Sequence, residues 1–180
     1  TNYVFNSLGS FGQGGEYFCR ALFMGGVPHR FPDLKFAFLE GGAGWGSQLY
    51  NTLFEYWGKR NLEALKEYLD PAKLDVDLLV EMFEKWGNDY LTPERIRAEP
   101  HQSSNSVLLV PAEDLDDFAQ TGVTKPEDIR DIFQRNFYFG SEADDAMTAV
   151  AFDTKLNRYG IKLNAILGSD IGHWDVPDRT

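Results

Sequence analysis

With a single cysteine, Cys19, in 180 residues, the chain cannot build a disulfide framework, and it fits a reducing compartment, the cytoplasm. Histidine is almost as scarce: His29, His101 and His173 are the three copies, and neither an HExxH helix nor paired CxxC knuckles occur, which removes the compact zinc motifs. Cations are in the minority, 17 Lys and Arg against 28 Asp and Glu, and the net charge of −11 opposes binding to nucleic acid or to an anionic membrane surface. No apolar run approaches the roughly 20 residues that cross a bilayer. Gly41-Gly42-Ala43-Gly44 lacks the Lys-Ser/Thr of a phosphate loop and the spacing of a dinucleotide fingerprint, and reads as a tight strand-to-helix turn. Internal repeats and low-complexity tracts are missing too. Aromatic residues are plentiful: 14 Phe, 8 Tyr and 4 Trp provide ample apolar volume for one folded core.

The order of apolar patterns indicates the fold class. Tyr17, Phe18, Ala21, Leu22 and Met24 follow helical spacing, so a helix is expected from Gly14 to Met24, stopped by Gly25-Gly26. Leu34 to Glu40 is a short apolar run bounded by turn residues and reads as a buried strand. Trp45, Leu49, Leu53, Tyr56 and Trp57 then give an amphipathic helix to about Lys59. Asn61 caps a short helix closed by Pro71, and Leu74, Leu78, Leu79, Met82, Phe83 and Trp86 form a further stripe ending at Gly87. Residues 88–131 read as an insertion holding the Val107–Val110 run and the acidic patch Glu113–Asp117. Thr124 and Glu127 have capping-box spacing, with Pro126 in the first turn of a helix over Lys125–Gln134. A strand at Asn136–Gly140, a helix running from Ala143 to Arg158 and a strand at Lys162–Leu167 complete the pattern. Strand and helix alternate as in a parallel α/β sheet with helical crossovers.

In such sheets the C-terminal strand ends carry the chemistry. Three ends present polar groups: Glu40, then Ser141 and Glu142, then Asp170 with His173. Carboxylates and imidazole there suit holding a divalent metal and moving protons on a bound water. Asp170 has two open readings, helix capping or chemistry; for Glu142, which opens a helix in this reading, capping is favoured. Cys19 falls on the inner face of its helix and is assigned to packing, whereas His29 and His101 fall in surface segments.

Arg30-Phe31-Pro32-Asp33-Leu34-Lys35-Phe36-Ala37-Phe38-Leu39-Glu40-Gly41-Gly42-Ala43-Gly44-Trp45, followed far downstream by Gly168-Ser169-Asp170-Ile171-Gly172-His173-Trp174-Asp175, resembles the C-terminal half of the amidohydrolase superfamily. Within it, the pair is similar to the metal-dependent hydrolase branch related to aminocarboxymuconate semialdehyde decarboxylase. The resemblance implies a (β/α)8 TIM barrel of which residues 1–180 form about the last three β/α units with a helical insertion. It implies a divalent metal ion, zinc, with Asp170 as ligand and as proton acceptor from the metal-bound water. Glu40 falls where many relatives carry a histidine and becomes a candidate base or hydrogen-bond acceptor; His173 and Trp174 become substrate-side neighbours, and Asp175 a turn residue. The histidine ligands of the first and fifth strands have no counterpart in the chain and are expected upstream of Thr1.

The expected activity is hydrolysis of a small organic acid or carbonyl substrate. Nonoxidative decarboxylation by the same branch, or an inactive binding module lacking the other ligands, are the alternatives. Thr1 and Thr180 read as cuts through a longer chain, so exposed strand edges and apolar faces are expected to favour aggregation or pairing into a homo-oligomer.

Overall fold

The computed structural model describes residues 2–70, 73–100, 116–142 and 145–173. The chain divides into two compact units, one of residues 1–57 with 118–180 and one of Gly58–Asp117.

The first unit opens with helices α1 (Tyr3–Ser7), α2 (Ser10–Met24) and α3 (Val27–Arg30). Next come strand β1 (Phe36–Phe38) and helix α4, which begins at Gly44 and continues to Arg60. The second unit carries α5 (Leu62–Tyr68), α6 (Val76–Trp86) and α7 (Pro93–Ala98), each opened by a side-chain cap, from Asn61, Asp75 and Thr92 respectively. The insertion read at 88–131 overlaps this unit from residue 88 to 117; Val107–Val110 and His101 lie outside the described residues. Back in the first unit follow a 3₁₀ turn (Ala119–Thr121), α8 (Pro126–Asn136), β2 (Phe137–Glu142), α9 (Thr148–Ala151), a second 3₁₀ turn (Arg158–Gly160) and β3 (Asn164–Gly168).

The three strands form one parallel sheet in the order β1-β2-β3, with Phe38 beside Phe139 and Phe139 beside Ala165. Because side chains alternate across a strand, Phe36, Phe38, Phe137, Phe139 and Ala165 share one face. All of them belong to the core cluster, together with Leu22 and Phe23 of α2, Leu49, Tyr50 and Leu53 of α4, and Ile129 and Phe133 of α8. On the opposite face Ala37 and Ile166 are exposed and Tyr138 is half-buried. Among the described residues one face of the parallel sheet thus carries the helices and the other is open, although parallel sheets are ordinarily covered on both. Helix α2 has a second apolar stripe, Phe11, Gly14, Phe18 and Ala21; Phe18 is 59% exposed yet meets Phe38 edge-on at 6.4 Å.

Two amides hold the strand entrances together. The Asn136 amide, wholly buried, donates to the carbonyls of Pro32 and Leu34 at 2.9 and 2.7 Å, and Asn164 donates to those of Gln134 and Phe137 at 2.9 and 3.0 Å. The N-terminal strand ends are thereby fixed while the C-terminal ends stay open.

Several expectations need correction. Helix α2 starts at Ser10 rather than Gly14, and β1 is three residues long because its ladder with β2 spans three pairs. The final apolar run, with the composition of a core strand, is half exposed instead: among the described residues β3 pairs with β2 alone, and Leu167 is 72% exposed. No helix runs to Arg158, since α9 ends at Ala151. There Asp153 Oδ1 accepts from the N–H groups of Lys155 and Leu156, turning the chain. At the start of α8, Asp128 rather than Thr124 and Glu127 supplies the cap: its Oδ2 accepts from the Thr124 N–H, the Thr124 hydroxyl and the Lys125 N–H at 2.8, 2.9 and 3.1 Å. Partial burial works to raise the Asp128 carboxyl, but these three donors outweigh it and hold it below the ordinary aspartate range. Asp128→Ala is expected to cost about 1 kcal/mol in urea unfolding at pH 7. Because the folded-state pKa is depressed, the contribution is present above about pH 4 and disappears as the carboxylate protonates below it. The difference between wild type and variant should therefore shrink in acid.

Among the described residues no helix is long and apolar enough to cross a membrane.

Candidate functional site

The parallel register brings the C-terminal ends of the three strands to one edge of the sheet. A cleft of about 140 Å³ opens there, lined by Leu39 and Glu40 after β1, by Gly140, Ser141 and Glu142 of β2, and by Ile166, Leu167, Gly168 and Asp170 at and after β3. Glu40 and Asp170, far apart in sequence, therefore line one small space.

Gly140 sets its floor. A Cβ at that position would lie 2.8 Å from Leu39 Cα and 3.0 Å from the Phe38 carbonyl oxygen, so only glycine lets the end of β1 approach β2 this closely. Glu40 and Asp170 share a further property: both have left-handed backbones, with φ of 60° and 49°, a region costly for non-glycine residues. Each stands where its strand breaks away, and the left-handed turn redirects the chain at the point where the carboxylate is presented.

Asp170 is followed by a turn, in which the His173 N–H donates to the Asp170 carbonyl at 3.2 Å. Among the described residues no helix begins at Asp170. The side chains of Asp170 and His173 are 39% and 52% exposed, and their nearest approach, Oδ2 to Nδ1, is 3.7 Å, beyond hydrogen-bond length. Trp174 and Asp175 lie outside the described residues.

Glu142 was assigned to capping at the β2–α9 turn; the residue organising that turn is Asp145. Its Oδ1 accepts from the Met147 N–H at 2.9 Å, and its Oδ2 accepts from the Thr148 hydroxyl at 3.0 Å and, across to the loop after β1, from the Ala43 N–H at 3.4 Å. Asp145 thus ties together the two loops that follow Glu40 and Glu142. The Asp145-x-x-Thr148 spacing was the available signal; the partner at Ala43, 102 residues away, left none. Gly140 was detectable as an isolated glycine inside an apolar strand.

Chemically, Asp170 supplies a hard oxygen donor that lines the cleft, 39% exposed, with His173 3.7 Å away, which suits one position in the shell of a divalent cation. It does not complete a shell: among the described residues, no group of three His, Cys, Asp or Glu side chains is placed to hold a metal. Cys19 is fully buried, and burial pushes its thiol far above the ordinary range, so it takes no part as a nucleophile.

No protein-family model, curated protein or solved structure matches the chain.

Proposed function

We propose that the chain forms the last three β/α units of an amidohydrolase-type barrel whose metal-dependent activity is hydrolysis of a small organic acid or carbonyl compound. The observation that carries this reading is the joint placement of Glu40 and Asp170 in one cleft at the C-terminal edge of a parallel sheet. The form of the sheet supports it. Strands follow one another in sequence order and their helices lie on one face, as in a barrel wall, whereas a doubly wound sheet reverses strand order and carries helices on both faces. The open face, the unpaired side of β1 and the second apolar stripe of α2 are the surfaces that further β/α units would cover.

In this reading Asp170 is one ligand of a divalent cation, zinc, with the remaining ligands outside the chain. A cation held there would supply a coordinated water made more acidic than bulk water. The residues of this chain then have distinct tasks. Asp170 would hold the cation and serve as the proton acceptor. Glu40, fixed by its left-handed turn, offers a second carboxylate as hydrogen-bond acceptor or base, although it cannot supply the positive charge of an imidazolium. Gly140 keeps the two strand ends close, and His173 is assigned to the substrate side.

Hydrolysis and decarboxylation are separated by their products. With a panel of small amides, lactones and aromatic carboxylic acids in ¹⁸O-labelled water, hydrolysis places the label in the product. Asp170→Asn is expected to lower turnover at least about 100-fold, more than loss of a group that only supports a ligand. Release of carbon dioxide with no incorporated label would replace the hydrolytic reading by the decarboxylase one.

A further inference from the structure

A second recess, of about 490 Å³, lies between α4 and the segment that follows β2, and it shares no lining residue with the strand-end cleft. Its volume is in the range of small-molecule sites. One wall is the polar stripe of α4, including Ser47, Asn51 and Glu55; the other holds Met147, Val150 and Leu156, with Arg158 at its end. The walls are locked to each other. The Arg158 N–H donates to Asn51 Oδ1 at 3.0 Å, the Tyr50 hydroxyl donates to the Arg158 carbonyl at 2.9 Å, and the buried Asn157 accepts from the Asn51 amide at 3.3 Å. A recess held open this way is preorganised.

Among the described residues, three of its polar groups lack a hydrogen-bonding or ion-pairing side-chain partner. The Ser47 hydroxyl, on a residue only 2% exposed, has no hydrogen-bond partner, and such a group calls for an explanation. Among the described residues neither Glu55 nor Arg158 takes part in an ion pair, although both line the same space. The Arg158 guanidinium lies 5.6 Å from the centre of the Phe54 ring, and Arg158 and Glu55 line the same recess.

Charge narrows the ligand. A simple anion gains from Arg158 but meets Glu55 and a chain of net charge −11, whereas a simple cation gains from Glu55 but meets Arg158. A zwitterion satisfies both, and the apolar wall of Met147, Val150 and Leu156 asks for an aliphatic body. We propose that this recess binds a free α-amino acid with an aliphatic side chain, its carboxylate on Arg158, its ammonium on Glu55 and its side chain against Met147 and Val150.

The test titrates L-leucine, leucinamide and N-acetyl-leucine into the full chain by calorimetry. Leucine should bind saturably at one site. Leucinamide, lacking the carboxylate, and N-acetyl-leucine, lacking the ammonium, should bind at least about tenfold more weakly, since each forfeits a charge-assisted contact. Glu55→Gln should weaken leucine about tenfold and abolish the discrimination against N-acetyl-leucine; Arg158→Gln should do the same for leucinamide. Both substitutions alter exposed side-chain ends and keep the Arg158 backbone contacts, and should either variant unfold, the three-ligand comparison on the natural chain decides alone. No saturable binding of leucine, or equal affinity for the three compounds, overturns the proposal.

Discussion

Phe139→Ala is expected to destabilise the first unit by about 3–5 kcal/mol in urea unfolding. Phe139 is wholly buried at the centre of the sheet. Its ring meets Trp45 edge-on at 5.1 Å and stacks with Phe38 and Phe133 at 5.9 and 6.2 Å. Gly46 of α4 lies against it so closely that a Cβ there would come within 2.6 Å of the ring carbons, leaving nothing that could move into the vacated space without shifting the helix. The lost transfer energy and the unfilled cavity therefore add. Against a total stability of about 5–15 kcal/mol, typical of single domains, the loss is a large fraction. Phe11→Ser supplies the contrast: Phe11 is 60% exposed, and its replacement should change stability by less than about 0.5 kcal/mol. A loss below about 1 kcal/mol for Phe139→Ala would mean that the strand–helix layer is not packed as described.

The second large effect is expected at Asn157, which is 2% exposed. Its amide donates to the carbonyls of Val150 and Ala151 at 2.9 and 3.2 Å and its oxygen accepts from Asn51 at 3.3 Å. Asn157→Ala removes three hydrogen bonds at about 1 kcal/mol each, for a loss of about 2–3 kcal/mol. Both carbonyls keep a second donor, Asp153 N–H for Val150 and Leu163 N–H for Ala151, which holds the cost to the bonds themselves. Asn157→Asp should be worse than Ala at neutral pH, because a carboxylate oxygen would face carbonyl oxygens in a buried site. Equal melting temperatures for wild type, Asn157→Ala and Asn157→Asp would remove this network from the account.

Asn157 also shows why part of the fold was hidden in the sequence. The spacing of Ala143, Ala146, Met147, Val150 and Thr154 satisfies a helix, and periodicity alone runs it to Arg158. What stops it is side-chain bonding to the backbone by Asp153 and Asn157, an alternative that aspartate and asparagine offer and apolar patterning does not register. The parallel direction of the three strands was legible, because short apolar runs alternating with helical patterns indicate helical crossovers between parallel strands. Strand length and burial were not: Leu167 looks like a core residue until its edge position is known. In the cleft, parallel direction was enough to put Glu40 and Asp170 on the same side. The left-handed backbones at both, and the bond from Ala43 to Asp145 that joins the loops after Glu40 and Glu142, leave no local trace in the sequence.

The most direct test of the strand-end site is the metal content of the protein carrying this chain. Wild type and Asp170→Asn would be equilibrated with zinc, freed of loosely held ions and analysed by elemental mass spectrometry. A metal-binding role for Asp170 predicts about one divalent ion per chain in the wild type and at least about tenfold weaker retention in Asp170→Asn. Equal retention by the two proteins, or none by the wild type, would contradict it.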